Sequence, residues 1–169
     1  MQDPVLHIIL HNPKMPQNTG NIGRTCAILG ARLHLIHPLG FIITDARLRR
    51  AGMDYWYGLD VVHHRDWESF KLSDKAPKLD RIWLFTTKAS SCYWDAQFQY
   101  GDALMFGAED CGVPECVHKD IWEHRVKIPQ FVPGLRSLNL ATSAGIGAYE
   151  AMRQIKGKLG GMALGSQVL

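Results

Sequence analysis

IPQFVPGLRSLNLATSAGIGAYEAMR, residues 128–153, carries the most informative local pattern of the chain. It leaves an apolar strand, crosses a loop that contains Pro133 and Gly134, and enters a helix of small residues. The loop offers Ser and Asn side chains and the free N–H groups of a helix start, which can hold a polar ligand. Five small residues then let another backbone approach the helix closely: Ala141, Ala144, Gly145, Gly147 and Ala148. The stretch therefore predicts a ligand site.

The composition of the 169-residue chain is that of a globular protein, with 46% hydrophobic and 21% charged residues. No apolar run approaches the roughly 20 residues of a membrane span, and the N-terminus lacks a signal-peptide pattern. Four cysteines at irregular spacing do not indicate a disulfide framework. We expect a cytoplasmic protein without membrane contact, with one domain over residues 1–156 and a flexible tail over residues 157–169.

Six short apolar runs predict strands, at residues 5–10, 33–36, 59–64, 81–85, 103–106 and 125–128. Segments with helical spacing lie between several of them, at residues 18–30, 66–72 and 115–121. This alternation is typical of an α/β domain with a mostly parallel six-stranded sheet and helices on both faces. Because ligands bind beyond the carboxyl ends of such strands, we expect one pocket at residues 85–87, 106–109, 128–129 and 137–139.

A basic segment lies beside an aromatic one near the middle of the chain. Arg47, Arg49 and Arg50 fall in a predicted short helix that starts from Thr44, and residues 55–57 are Tyr-Trp-Tyr. Basic and aromatic residues together suit phosphate contact and base stacking in RNA. The alternative is a solvated helix face whose arginines pair with nearby aspartates, and a net charge of +3 does not decide between them.

A metal site is not expected. Cys111, Cys116 and His118 lie close together in the sequence, but their spacing fits no common zinc pattern and a fourth ligand is missing.

Three motifs occur in order along the chain: Asn18-x-Gly-Asn21-Ile-Gly-Arg24, then Leu104-Met-Phe-Gly107-x-Glu109-x-x-Gly112-Val-Pro114, then Ile128-Pro129…Arg136-Ser137-Leu-Asn139-Leu140. Together they resemble the motifs of the SpoU-type RNA 2′-O-methyltransferases of the SPOUT superfamily. Arg47-Leu-Arg49-Arg50-Ala-Gly52-x-Asp54-Tyr55 and Thr86-Thr87-Lys88 are similar to the TrmL (YibK-like) branch. That branch methylates the ribose of the wobble nucleotide, cytidine or uridine 34, in certain tRNAs.

The resemblance implies an α/β fold with a deep trefoil knot in its C-terminal part. It also implies S-adenosyl-L-methionine as the cofactor, tRNA as a partner, and a homodimer whose first and last helices form much of the interface.

The same resemblance implies roles for individual residues. Arg24, Glu109, Ser137 and Asn139 correspond to the catalytic centre, and Phe85, Gly107, Ile128 and Ser137 to the cofactor site. Tyr149 matches a tyrosine that handles RNA, and Arg47, Arg49 and Arg50 are the further candidates for RNA contact. Simpler roles stay open for the first group: a surface ion pair for Arg24, helix caps for Glu109 and Asn139, and a loop hydrogen bond for Ser137.

Departures from the branch pattern leave the substrate open. Residues 107–111 read Gly-Ala-Glu-Asp-Cys where the branch usually has Gly-Pro-Glu-Thr-Arg, and the loop before Ser137 carries one extra residue. A ribose methyltransferase for rRNA or for another tRNA position is therefore one alternative. A non-catalytic RNA-binding protein is another.

Overall fold

A six-stranded sheet in which every pairing is parallel forms the centre of the protein. The computed structural model describes residues 4–43 and 54–158. The strands, in chain order, are β1 (His7–His11), β2 (Arg32–Ile36), β3 (Val61–His64), β4 (Ile82–Phe85), β5 (Ala103–Phe106) and β6 (Arg125–Val126). Their order across the sheet is β3-β2-β1-β5-β4-β6. The chain thus builds outward from β1 on one side and returns to fill the other side, which places a topological switch point between β1 and β5.

Within residues 4–43 and 54–158, four α-helices accompany the sheet: α1 (Pro16–Leu29), α2 (Trp67–Lys71), α3 (Glu115–Asp120) and α4 (Leu140–Lys158). Short 3-10 helices cover Asp54–Gly58, Leu79–Arg81 and Tyr93–Asp95. Among the described helices, none has the length and apolar character needed to cross a membrane. The predicted helix at Arg47, Arg49 and Arg50 lies outside the described residues, as do residues 159–169 of the predicted tail.

The strands bury alternate side chains on the two faces of the sheet. Ile8, Leu33 and Leu104 pack with α1 and α4 on one face. Ile9, Leu84 and Met105 pack with α2 and α3 on the other. Since successive side chains in a strand point to opposite faces, continuous apolar runs such as Ala-Leu-Met-Phe in β5 fit a sheet that helices cover on both sides. The predicted α/β class, parallel sheet and placement of helices are confirmed, whereas the trefoil knot stays a prediction.

Helix α1 begins earlier than its sequence pattern indicated. The polar residues from Asn18 onward suggested the start, but the helix begins at Pro16, a residue type favoured in the first turn because it has no N–H to satisfy. Its end agrees with the prediction, since Gly30 takes the left-handed conformation with φ of 67° and donates its N–H to the carbonyl of Cys26.

Strand β6 is shorter than predicted and ends at Val126 instead of Ile128. Beyond Val126 the chain pairs with a different segment: Lys127 donates its N–H to Ser91 and accepts from the N–H of Tyr93. The pairing of β6 with β4 ends at Val126, because β4 itself ends there, and the next residue pairs with Cys92 instead. The apolar pattern of residues 126 and 128 therefore extends beyond the strand.

The small residues of α4 allow close packing at some positions only. Gly147 lies so near the ring of Phe85 that an added Cβ would come within 2.9 Å of it. Ala144 and Ala148 are fully buried. Gly145, in contrast, has nothing within 4 Å of such a Cβ. The helix also includes Gly157 and Lys158, two residues past the predicted domain boundary.

Candidate functional site

A cavity of about 510 Å³ opens at the carboxyl ends of β5 and β4, close to the switch point. This volume is in the range of small-molecule sites. Four loops supply most of its wall, at residues 84–88, 106–113, 128–130 and 136–140. Met15 and Asn18 from the start of α1 and His118 from α3 complete it. Short parallel strands that end at the same edge of the sheet bring these loops together.

The structure gathers most of the predicted site residues in this cavity. Phe85, Gly107, Ile128 and Ser137, the four candidates for cofactor contact, all line it. Glu109 and Asn139, two further candidates for the catalytic centre, line it as well. Residues up to 54 positions apart in sequence therefore meet at one place.

Gly107 lies where the chain leaves β5 and folds back on itself. Ala108 and Gly112 exchange backbone hydrogen bonds of 3.0 and 2.9 Å, and Gly112 has a φ of 71°. A Cβ on Gly107 would lie 2.3 Å from the carbonyl carbon of Gly112, closer than any side chain can be. Only glycine fits there, and its exposed peptide forms part of the cavity wall.

The Glu109 carboxylate ties the exits of β5 and β1 together. Its Oε2 accepts a 2.7 Å hydrogen bond from the N–H of Lys14, and its Oε1 accepts from the N–H of Met15 at 3.2 Å. Oε1 also accepts a 2.9 Å bond from Nδ2 of Asn18. Because these groups lie at the N-terminus of α1, the helix dipole adds a favourable interaction with the negative charge. The predicted alternative for Glu109 was a cap on the turn that follows it. In the structure Glu109 instead accepts from backbone N–H groups at the start of α1.

Asn139 extends this network to the last helix. Its Nδ2 donates to Oδ1 of Asn18 at 3.0 Å. Its Oδ1 accepts from the N–H groups of Ala141 and Thr142 at 2.9 and 3.2 Å, which is an N-cap of α4. A continuous chain of hydrogen bonds therefore links Glu109, Asn18 and Asn139, and it joins the three motif segments of the sequence.

The loop that contains Ser137 covers one side of the cavity. Its side chains from residue 131 to residue 139 are exposed. Gln130 donates from Nε2 to the carbonyl of Arg136 at 2.8 Å and so closes the base of the loop. Arg136 and Lys88 both line the cavity and bring positive charge to its rim.

Two predicted residues lie elsewhere. Arg24 is exposed on α1 and does not line the cavity of its own chain. Tyr149 is 55% exposed on α4 and does not line it either. Arg47, Arg49 and Arg50 lie outside the described residues, so their predicted role in RNA contact has no structural test.

Asn18 and His118 are functional candidates that the motif analysis did not select. Asn18 is 5% exposed and stands between Glu109 and Asn139, and its place at the head of the first motif was the available signal. His118 is 2% exposed, and its buried Nδ1 has no hydrogen-bond partner among the described residues. Burial, and then the nearby charges of Lys88 and Arg125, lower the pKa of its imidazole. In the sequence His118 stood out only in the metal pattern with Cys111 and Cys116, which gave no sign of its place in the cavity wall.

Cys111 occupies the position where the branch pattern has arginine, at the cavity rim. A hydrogen bond to the Asp110 carboxylate, followed by partial burial, raises the pKa of its thiol. The thiol form is therefore favoured, and Cys111 is a poor nucleophile.

The arrangement suits a ligand with a flat apolar part and polar ends. Phe85, Phe106 and Ile128 supply apolar walls, while the network of Glu109, Asn18 and Asn139 supplies polar groups beside them. Pockets of this kind hold nucleoside-containing ligands through apolar contact and a few fixed hydrogen bonds.

Comparison with known proteins gives this site a family. The sequence profile of the SpoU rRNA Methylase family matches residues 5–149. A protein named tRNA (cytidine(34)-2′-O)-methyltransferase from Burkholderia pseudomallei (strain 1106a) is 44% identical over 151 residues, which cover 89% of this chain and 96% of the relative. The protein of the same name from Escherichia coli (strain K12) is 41% identical over 152 residues, covering 89% and 94%.

Two solved structures extend the comparison. One, described as giving insights into the 2-OH methylation of C/U34 on tRNA, is 39% identical and has a TM-score of 0.78. The alignment covers 92% of this chain and 99% of that one. An AdoMet-bound rRNA methyltransferase from Sinorhizobium meliloti shares the fold at 24% identity and a TM-score of 0.77, over 90% of this chain and 57% of that one. By the extent of the family match and the identity to its relatives, this chain belongs to the SpoU rRNA methylase family.

Proposed function

We propose that the chain transfers a methyl group from S-adenosylmethionine to the ribose 2′-hydroxyl of nucleotide 34, a cytidine or uridine, in a tRNA. The observation that carries this proposal is the convergence of the three motif segments on one cavity through Glu109, Asn18 and Asn139. The relatives that bear the corresponding name match nearly their whole length at more than 40% identity.

The reaction is an in-line displacement at a methyl carbon. The 2′-oxygen forms a bond to the methyl carbon, the bond from that carbon to sulfur breaks with both electrons moving to sulfur, and the hydroxyl proton goes to a base. When bound, the methyl donor supplies a sulfonium leaving group. The protein therefore contributes orientation, exclusion of water and stabilisation of the developing negative charge on oxygen.

The cavity residues suit the first two of these tasks. Phe85 and Ile128 would bury the adenosine part of the donor, and the open peptide at Gly107 would let it approach the backbone. The loop at Ser137 would cover it from the solvent side. Glu109 and Asn139 are already engaged with backbone N–H groups and with Asn18, so their part is to hold the site in shape.

Arg24 would stabilise the reacting oxygen and a neighbouring phosphate. Guanidinium stays protonated, so its contribution is positive charge and directed hydrogen bonds. Because Arg24 does not line the cavity of its own chain, the proposal includes a homodimer in which it reaches the cavity of the partner. The exposed Ile28 on α1, 67% accessible, and Tyr149 on α4 suit a contact between copies.

Incubation of tRNA with labelled methyl donor, followed by nuclease digestion and mass spectrometry, tests the assignment. The expected product is a 2′-O-methylated nucleotide 34. A tRNA with 2′-deoxyribose at position 34 should accept no label, whereas one with 2′-deoxyribose at position 33 should still accept it. Label on a base would contradict the proposal, and RNA binding without transfer would support a non-catalytic protein.

A second candidate function is methylation at another RNA position. The replacement of the branch arginine by Cys111 at the cavity rim favours it, because a basic contact to RNA is missing there. The same mapping on total RNA would show label away from nucleotide 34.

Replacement of Arg24 tests its role. We expect Arg24→Ala to lower the transfer rate about 100-fold or more, as removal of a charge-stabilising donor does in other enzymes. Calorimetry should show nearly unchanged donor binding. Arg65→Ala is the control, since Arg65 is an exposed arginine that is paired with Asp66 and does not line the cavity.

Mixing experiments test the dimer. If Arg24 acts in the partner's cavity, a mixture of Arg24→Ala with an inactive cavity variant should regain activity after subunit exchange. No recovery, with exchange verified by mass spectrometry, would place Arg24 outside the partner's site.

A further inference from the structure

Trp94 and Phe131 form an exposed aromatic pair near the cavity. Trp94 is 57% exposed and Phe131 81% exposed. Their ring centroids are 6.2 Å apart with an angle of 27° between the planes, so the two rings are roughly parallel. We name this pair the aromatic platform. Two large exposed rings side by side form a contiguous apolar patch, and contiguous exposed apolar patches mark binding surfaces.

A backbone hydrogen bond fixes the segment of Trp94, and a side-chain hydrogen bond closes the loop of Phe131. Trp94 lies in the 3-10 helix Tyr93–Asp95, and the N–H of Tyr93 donates to the carbonyl of Lys127 at 3.0 Å. Phe131 follows Gln130, whose side chain closes the base of its loop on Arg136. The platform is thus attached to the segment between β6 and the cavity, and the backbone bond of Tyr93 limits the ordering that Trp94 needs on binding.

A row of rings connects the platform to the cavity wall. Phe85, which lines the cavity, has its ring centroid 6.1 Å from that of Tyr93. Tyr93 lies 6.1 Å from Trp94 in the same measure. The platform therefore begins two ring contacts away from the place where the methyl donor would be held.

Two cationic side chains, Lys88 and Arg136, line the cavity to which the rings lead. Arg136 also belongs to the loop of Phe131, whose base its carbonyl closes with Gln130. Asp95 is the acidic residue of the short helix that carries Trp94. Aromatic faces next to cationic side chains are the combination by which proteins bind single-stranded nucleic acids, since bases stack on the rings and phosphates meet the cations.

We propose that Trp94 and Phe131 stack on an unpaired base of the substrate RNA beside the nucleotide to be methylated, while Lys88 and Arg136 contact its phosphates. This inference rests on the proposed RNA methyltransferase function and deepens it by naming a second RNA subsite. The platform would fix the RNA strand so that the target ribose enters the cavity. It is a positioning surface and touches no reacting atom.

Binding measurements with an anticodon stem-loop RNA test the proposal. The RNA carries a fluorescent label, and anisotropy gives its dissociation constant in the presence of S-adenosylhomocysteine. We expect Trp94→Ala to weaken binding about 5- to 150-fold, the range that loss of one base stack produces. Trp94→Phe should retain most of the affinity. Phe131→Ala provides a variant that will fold, because that ring is already 81% exposed.

Trp122→Ala is the matched control. Trp122 is 60% exposed, close to the value for Trp94, but its ring packs against Arg125 at 3.6 Å, whereas Trp94 packs on Phe131 and on Tyr93, which leads to the cavity wall. RNA affinity of this variant should stay at the wild-type value. Donor affinity should stay unchanged in all these variants, and with saturating donor the KM for RNA should rise more than kcat falls.

Abasic substitutions identify the partner base. Each unpaired nucleotide around the target is replaced in turn by an abasic one. At one position, the abasic RNA should bind the wild-type protein as weakly as the intact RNA binds Trp94→Ala. With that same abasic RNA, Trp94→Ala should bind no more weakly than the wild-type protein. Lys88→Ala should lower the slope of log K against log salt by about one, whereas Trp94→Ala should leave it unchanged.

Three outcomes overturn the inference. The first is unchanged RNA affinity of Trp94→Ala and Phe131→Ala while the wild-type protein methylates RNA normally, which leaves the proposed function intact. The second is a shift of these variants from dimer to monomer in sedimentation, which would make the platform a subunit interface. The third is absence of both RNA binding and methyl transfer in the wild-type protein, which removes the proposed function as well.

Discussion

Gly107 and Gly145 show how differently two glycines act in this chain. A Cβ at Gly107 would meet the backbone of Gly112 at 2.3 Å, and backbone cannot move aside as a side chain can. We expect Gly107→Ala to lower the free energy of unfolding by about 1–3 kcal/mol through overpacking and to weaken donor binding. Urea denaturation and calorimetry measure the two effects.

Gly145→Ala is the companion variant. Gly145 lies inside α4 with nothing within 4 Å of an added Cβ, so alanine gains helix propensity of about 1 kcal/mol without a clash. A higher unfolding midpoint for Gly145→Ala and a lower one for Gly107→Ala are expected. Loss of stability in both would mean that another surface, such as a second copy, covers Gly145.

His118 supplies the second prediction for a single residue. Its buried Nδ1 has no hydrogen-bond partner in the described part of the chain, and such an atom destabilises the fold unless a ligand or water satisfies it. His118→Leu should raise the free energy of unfolding of the ligand-free protein by about 1 kcal/mol or more. If the methyl donor is the missing partner, its dissociation constant should rise about 2- to 12-fold.

His124→Leu serves as the comparison for His118→Leu. His124 is half-buried, stacks on Trp83 with centroids 4.6 Å apart, and does not line the cavity. Its replacement should leave donor affinity unchanged. Unaltered donor binding in His118→Leu as well would show that water, and not the donor, satisfies Nδ1.

At the level of elements, Asn139 joins a helix cap to the site network, and two substitutions separate these tasks. Asn139→Asp keeps the oxygen that accepts from Ala141 and Thr142 but loses the Nδ2 donor to Asn18. It should preserve stability, helped by the helix dipole, and impair methyl transfer. Asn139→Ala loses both and should cost about 0.5–2 kcal/mol of stability in addition. Thermal unfolding and transfer rates distinguish the two variants. An equal loss of stability in Asn139→Asp and Asn139→Ala would show that Asn139 does not stabilise α4 as an N-cap.

The elements themselves were largely predictable from local pattern, and the misses have local causes. Residues 103–106 were predicted as a strand with the bounds that the structure has, because a continuous apolar run fits a strand buried on both faces. Ile128 was wrongly included in β6, since its pattern gave no sign that Ser91 and Tyr93 replace β4 as the partner of Lys127. Asn18 was missed because its role depends on Glu109 and Asn139, which are distant in sequence.

For the whole molecule, the sequence predicted a parallel sheet but not the order of its strands. Adjacent strands β1 and β5 are separated by more than 90 residues, and short apolar runs carry no information about which pairs form. That one pocket forms at the carboxyl ends of the strands was foreseen for a different reason: all parallel strands end at one edge, which puts the segments at residues 106–109 and 128–129 on the same side of the sheet, while the strand order makes β4 and β5 neighbours there.

A row of buried histidines predicts how the stability of the whole molecule depends on pH. His7 Nδ1 lies 2.9 Å from His34 Nε2, and His34 Nδ1 lies 2.9 Å from His64 Nε2, across β1, β2 and β3. Burial, followed by His7, His64 and Arg32, lowers the pKa of His34 to about 2. Burial also lowers the pKa of His11 to about 4.

The sign follows from the ordinary pKa of 6.5 in the unfolded chain. Between that value and the lowered one, the unfolded chain binds a proton that the folded protein excludes, so stability is complete above pH 6.5 and falls as the pH decreases. Each such histidine contributes a slope of about 1.4 kcal/mol per pH unit. Hydrogen bonds from Ser69 lower the pKa of the Asp66 carboxyl to about 2. This group therefore changes the stability only at lower pH.

Urea denaturation between about pH 5 and pH 7.5 measures this slope. His34→Phe should lower stability at neutral pH, because it breaks two hydrogen bonds. The free energy of unfolding of this variant should depend less steeply on pH, by the slope that corresponds to about one proton. Ile9→Val, at the position paired with His34 in β1, should cost about 0.5–1.5 kcal/mol at every pH and keep the wild-type slope. Equal slopes for His34→Phe and the wild-type protein would mean that His34 takes up its proton equally in the folded and unfolded chains, and His34 would then have no part in the acid sensitivity of the fold.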